Sequence, residues 1–227
     1  MKALVRLVMV LVVLGAIVIA GAAFTGIVQV PVVSSLVGMD KPRDLGGADA
    51  DPVAFEAALA EHGLTLASPA ENYTLGSAHT FSGSVPVDAV LSEAIINAMG
   101  EIANDSPAFK DVSVRFHDGS AETSAMIDLG GFGYPISGPV YLAWSVEVSG
   151  PRSVAVSLDT VELGRIGVPA DFLAQAEDAI NGYLATRLAA IDGLTIEAFD
   201  LQDGAVHFAG ALPERYEAGV PAVGQLP

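Results

Sequence analysis

Val112-Ser113-Val114-Arg115-Phe116-His117-Asp118-Gly119-Ser120-Ala121-Glu122-Thr123-Ser124-Ala125-Met126-Ile127-Asp128-Leu129 changes character every second residue on both sides of an Asp-Gly pair. Successive side chains of an extended strand point to opposite faces, so a period of two reads as two half-buried strands. Asp118-Gly119 suits a tight hairpin turn. Val112, Val114 and Phe116 face inward from the first strand. Ala121, Thr123, Ala125, Ile127 and Leu129 do so from the second. Residues 130–135 make a looser, glycine-rich turn. Val140, Leu142, Trp144, Val146 and Val148 form the next inner face, and Gly150-Pro151 turns the chain again. Val154, Val156 and Leu158, then Val161 and Leu163, share one face only if a residue near Asp159 is extra, which predicts a β-bulge. The result is a four-stranded antiparallel meander.

Helical spacing brackets the meander. Before it, Val87, Val90, Leu91, Ala94, Ile95, Ala98, Met99 and Ile102 predict an amphipathic helix over 86–103. Asp88, Ser92, Glu93, Asn97 and Glu101 fall on its opposite, polar side. After it, Gly167-Val168-Pro169 opens a second helix to 191, with Phe172, Ala176, Ile180, Tyr183, Leu184, Leu188 and Ile191 as its stripe and Gly193 as its stop. Two closing strands follow, 194–201 and 205–212, joined by Gln202-Asp203-Gly204. Further upstream, residues 73–85 read as a strand. Asp51-Pro52 caps a short helix that ends at His62-Gly63 and packs lightly through Val53, Ala57 and Ala60. The fold class is α+β: helices against one antiparallel sheet. A helix followed by strands occurs twice, a hint of pseudo-symmetry.

The N-terminus is of another kind. Residues 7–28 are uncharged and mostly aliphatic, with Lys2 and Arg6 in front. A helix of that length rises roughly 33 Å at about 1.5 Å per residue, enough for a bilayer core of about 30 Å. The basic residues place Met1 in the cytoplasm and the remainder outside. The alternative is a cleaved secretory signal ending near Ala20-Gly21-Ala22, although the apolar run continues past it. Both readings export the rest. The expected organisation is a signal-anchor transmembrane helix (1–28), a linker (29–51), an extracytoplasmic α+β domain (52–213) and a loose C-terminal tail (214–227).

The chain has 10 Lys+Arg against 27 Asp+Glu, a formal charge of −17, and no cysteine. Without Lys2 and Arg6 the exported part carries −19. Such an acidic surface excludes nucleic acid as a partner and disfavours docking on anionic lipid head groups. The lack of cysteine excludes disulfides, thiolate catalysis and Cys-type metal sites. His62, His79, His117 and His207 form no H-x-x-x-H pair, and no Gly-x-Ser-x-Gly elbow is present. His117 reads as an exposed turn residue and His207 as solvent-facing. Residues 130–133 precede a strand, so they offer no helix N-terminus to a phosphate. Asp49-Ala50-Asp51 lacks the rest of a calcium loop. Asn72-Tyr73-Thr74 fits a glycosylation acceptor where the source glycosylates exported proteins. The expectation is a non-catalytic domain with no metal and no cofactor.

Residues 85–213 resemble small, membrane-anchored bacterial envelope proteins of the tubular lipid-binding type, similar to bactericidal/permeability-increasing protein domains. The features that match are the apolar helix, the meander, the link Val161-Glu162-Leu163-Gly164-Arg165-Ile166-Gly167-Val168-Pro169 into a long helix, and the close Gly193-Leu194-Thr195-Ile196 with Gly204-Ala205-Val206-His207-Phe208-Ala209-Gly210. The glycine-rich, acidic composition departs from the pattern. The resemblance implies a long helix cradled in a curved antiparallel sheet, a lipid ligand and no catalytic residues. On that expectation Ile95, Met99, Phe172, Ile180, Tyr183 and Leu184 face Leu142, Trp144 and Val146 across an apolar slot. The alternative is a closed-core scaffold or accessory domain that binds another envelope protein.

Overall fold

The computed structural model describes residues 41–66, 79–102, 109–128, 137–164 and 166–218. The N-terminal apolar run, Asn72-Tyr73-Thr74, the 130–135 turn and residues 219–227 lie outside them. No helix among the described residues is long and apolar enough to cross a membrane. The elements are α1 (Pro52–Glu61), β1 (Thr65–Leu66), β2 (His79–Ser82), β3 (Val85–Ser92), α2 (Glu93–Ile102), β4 (Phe109–His117), β5 (Ser120–Asp128), β6 (Ser137–Gly150), β7 (Ser153–Leu163), β8 (Ile166–Gly167), α3 (Ala170–Ala189), β9 (Thr195–Gln202), β10 (Ala205–Leu212) and β11 (Arg215–Ala218). The class is α+β. The strands form three sheets where one was expected: β4-β5-β6-β7-β8, β3-β10-β9 and β1-β11-β2.

The meander is the first of these sheets. Thr123 lies opposite Val114 and Leu142, so in each of β4, β5 and β6 alternate residues supply the inner face. The bulge falls at Asp159: Ala143 faces Thr160 while Trp144 faces Leu158. The inner face meets the apolar side of β3-β10-β9, with β9 lying across β4, β5 and β6. Leu91, Val206 and Leu201 share one row of that second sheet, and Ala89, Phe208 and Phe199 the next. All six are buried. Trp144 is fully buried between the sheets, and its indole N–H donates to Thr123 Oγ1 at 3.0 Å. That bond lets a residue with a polar atom sit in the core.

Residues 85–92 do not continue the helix expected over 86–103. Val87, Ala89 and Leu91 are buried while Asp88 and Val90 are exposed, a period of two. Pairing with β10 decides this, and Pro86, which cannot donate a ladder hydrogen bond, is tolerated because β3 is the sheet's edge. The helix is only α2, and Glu93 and Asn97 are buried at 7 % exposure each, not on a solvated side. Helix α1 starts as expected, with the Asp51 carboxylate accepting from the Ala54 N–H at 2.9 Å. Its buried residues are Phe55 and Leu59, whereas Val53 is 77 % exposed.

Two ends differ from expectation. The C-terminal part of the expected linker packs on the domain, with Leu45 buried. Residues 215–218, expected to be loose, form β11 between β1 and β2, and Tyr216 is buried there. Helix α3 ends at Ala189 with Ala190 as its C-cap, ahead of the expected stop at Gly193, which lies in the turn that follows (φ +82°), where a Cβ would lie 2.1 Å from the Gly83 carbonyl oxygen. Only glycine allows that backbone approach.

Candidate functional site

Both long edges of the meander are closed by helix side chains. On β4, Asn97 accepts from the Val114 N–H at 2.8 Å and donates to the Val114 carbonyl at 3.3 Å. One turn earlier on α2, Glu93 Oε1 accepts from the Phe116 N–H at 2.8 Å. On β7, Asn181 accepts from the Val156 N–H at 2.8 Å and donates to the Val156 carbonyl at 2.9 Å. One turn earlier on α3, Glu177 Oε2 accepts from the Leu158 N–H at 3.0 Å. Positions i and i+4 share one helix face, which matches the i, i+2 spacing along a strand edge. A primary amide presents the same acceptor and donor as a peptide group, so each asparagine substitutes for a neighbouring strand.

The expected slot residues divide by burial. Met99, Leu142, Trp144, Ile180 and Leu184 are each 0–1 % exposed, and Ile95, Val146, Phe172 and Tyr183 are partly buried. The fold places Ile95 and Met99 on α2, which packs on β4. Phe172, Ile180, Tyr183 and Leu184 are on α3, which packs on β7 at the opposite edge. Leu142, Trp144 and Val146 lie between them on β6. All but Phe172 belong to, or pack against, one continuous core.

The outer face of the meander is polar. The Tyr141 hydroxyl donates to Glu122 Oε1, and His117 Nε2 lies 3.1 Å from Glu122 Oε2. Burial opposes the Glu122 carboxylate, but the bonds from Tyr141 and His117 and the charges of His117 and Arg115 outweigh it and lower its pKa. Burial, with Glu122 as neighbour, pushes the Tyr141 phenol up to about 12, so it remains a donor at neutral pH. The guanidinium of Arg43 stacks over Tyr141 at 3.8 Å and bonds Glu162 at 2.7 Å. Arg115 donates to the Leu45 carbonyl. Ala48 is then held between Glu93 Oε2 (3.1 Å) and Asn97 Nδ2 (2.8 Å). Residues 43–48 are thus a strap that runs from β7 and β6 to β4 and α2. The Ser124 hydroxyl on this sheet is buried with no hydrogen-bond partner.

On the outside of β3-β10-β9, His207 sits between two carboxylates, 2.8 Å from Asp88 and 3.1 Å from Asp200. Those bonds, Asp88 foremost, raise its pKa. It points outward, as expected, but is bonded rather than simply solvated. Among the described residues no group of three or more His, Asp or Glu is placed to hold a metal ion. No family model, curated protein or solved structure matches this chain. Sequence reasoning missed the four edge-bracing residues. Their signal was a repeated Glu-x-x-x-Asn, Glu93 to Asn97 and Glu177 to Asn181, beside each apolar stripe.

Proposed function

We propose that this chain is a membrane-anchored, extracytoplasmic, non-catalytic accessory domain of the cell envelope, acting through contacts with another envelope protein. The burial of the slot residues supports this reading most. A channel wide enough for an acyl chain would leave its walls open to a water-sized sphere. Met99, Leu142, Trp144, Ile180 and Leu184 meet no such space at 0–1 % exposure. The apolar run at 7–28 supports the anchor, and an acidic domain gains no hold on anionic lipid by charge. The second reading, binding or transfer of a lipid, draws on the partly buried Ile95, Val146, Phe172 and Tyr183. It requires α2 or α3 to move off its sheet edge. Native mass spectrometry of the full chain, extracted from its own membranes, separates the two. The accessory reading expects protein free of lipid, with discrete adducts from a photo-cross-linker at the exposed Val90. Stoichiometric co-purified lipid, with no adduct from Val90, would overturn it in favour of the lipid reading.

A further inference from the structure

The two edge braces are related by a half-turn of the meander. Phe116 lies opposite Ala121, Ala121 opposite Trp144, and Trp144 opposite Leu158. Rotation by 180° about an axis between Ala121 and Trp144, perpendicular to the sheet, exchanges Phe116 with Leu158 and Val114 with Val156. It also brings Glu93 onto Glu177 and Asn97 onto Asn181, with a carboxylate oxygen and an amide oxygen accepting the equivalent backbone N–H groups on each side. Each helix runs antiparallel to the strand that it braces, as the rotation requires.

The two sides differ in one component. Glu93 and Asn97 hold a third backbone, because Ala48 gives its N–H to Glu93 and takes a bond from Asn97. Among the described residues none stands at the equivalent place beside Glu177 and Asn181. Among the described residues nothing bonds the second carboxylate oxygen of Glu177 or the second amide N–H of Asn181. These are the acceptor and donor that one extended residue needs. We infer that the rim of β7 beside Glu177 and Asn181 docks an extended, basic, small-residue segment of a partner protein, in the way that the strap docks beside Glu93 and Asn97.

The filled side shows what fits. A Cβ at Gly47 would lie 3.3 Å from Glu93 Oε2 and 3.4 Å from the Val114 carbonyl, so the segment must be small where it crosses. Charge sets the rest. The rotation puts the exposed Ser157 in the place of Arg115, so no described residue supplies the β7 rim with a cation there. Asp159 and Asp178, exposed neighbours of Leu158 and Glu177, add negative charge. An acidic segment would meet repulsion, and a lipid chain would leave the amide and carboxylate unanswered. The site rests on the accessory-domain reading and names the chemistry of its partner.

The test is a titration of the full-length protein in detergent micelles with the labelled synthetic peptide Arg-Leu-Gly-Gly-Ala-Arg. Fluorescence anisotropy is expected to saturate, and amide shifts to appear at residues 156–158. Glu177→Gln keeps an oxygen for the Leu158 N–H but turns a donor outward, and should weaken binding at least tenfold. Asp178→Lys should weaken it several-fold with the brace intact, and decides the matter if Glu177→Gln unfolds. Glu197→Gln, on the exposed side of β9, should bind as the parent does. Absence of saturation at millimolar peptide, equal binding by Glu177→Gln, or shifts at residues 114–116 (exchange with the strap) would overturn the proposal. The peptide reads this site without any envelope partner, so its failure is distinct from a failure to cross-link at Val90.

Discussion

Asn97 and Asn181 each satisfy a backbone N–H and a carbonyl that a strand would otherwise pair. The two should not cost the same to remove. Asn97 is buried, so Asn97→Leu leaves both groups of Val114 without water, and unpaired buried polar groups cost about 1–3 kcal/mol each. Asn181 is only partly buried, and water can replace it. We expect about 3 kcal/mol for Asn97→Leu and about 1 kcal/mol for Asn181→Leu, read as shifts in the urea midpoint at constant m-value. The reverse case is Ser124. Its hydroxyl is buried and unbonded, so Ser124→Ala should stabilise the fold by up to about 1 kcal/mol, an increase visible by thermal melting. His207 adds a pH term. Its pKa is raised in the folded state, so its contribution is complete below the unfolded value of about 6.5 and is lost as pH rises through the folded one. An NMR titration of the ring should give a midpoint above that of a model imidazole, and His207→Gln should flatten the pH dependence of stability between the two values. The polar braces were not legible because glutamate and asparagine beside an apolar stripe look the same whether they face water or a strand edge.

At the scale of elements, legibility depended on whether one period fitted or two. The meander, the long helix and the closing hairpin each show one period, and the structure has all of them. The Asp159 bulge was legible because two inner faces were out of phase by one residue. Residues 85–92 fit both periods. Val87 and Leu91 belong to a helical stripe with Val90 and Ala94, and equally to an alternation with Val85 and Ala89. Only pairing with β10 separates the two, and that partner is more than a hundred residues away. Helix α1 shows the same limit on a smaller scale. The sequence reading put Val53, Ala57 and Ala60 on the inner face, and the large Phe55 takes it instead. Phe55→Ala should therefore cost about 3–4 kcal/mol by loss of buried surface and creation of a cavity. Val53→Ser, at an exposed position, should stay within about 0.5 kcal/mol. Chemical denaturation of the two variants distinguishes this face from the one read in the sequence.

At the scale of the molecule, the sequence reading stopped at one sheet and a loose end. Two couplings over long sequence separation account for the difference. The strap joins residues 43–48 to Glu93, Asn97, Arg115 and Glu162, so this part of the expected 29–51 linker is fixed to the domain. At the other end, β11 is the middle strand of its sheet, and among the described residues it is the partner that β1 and β2 share. Thr65 and Leu66 pair with Arg215 and Tyr216, and residues 79–82 with 215–218. The Tyr216 hydroxyl lies 2.7 Å from His79 Nδ1, with the two rings stacked. A chain ended after Pro213 loses that middle strand, but no backbone pair of β4-β5-β6-β7 or of β3-β10-β9 involves residues beyond 212. Local opening follows such divisions of the hydrogen-bond network. Hydrogen exchange on the truncated chain should therefore show fast amides at residues 65–66 and 79–82, while those around Trp144 stay as slow as in the full chain. Loss of protection throughout both larger sheets would mean that β11 is part of one cooperative unit with them.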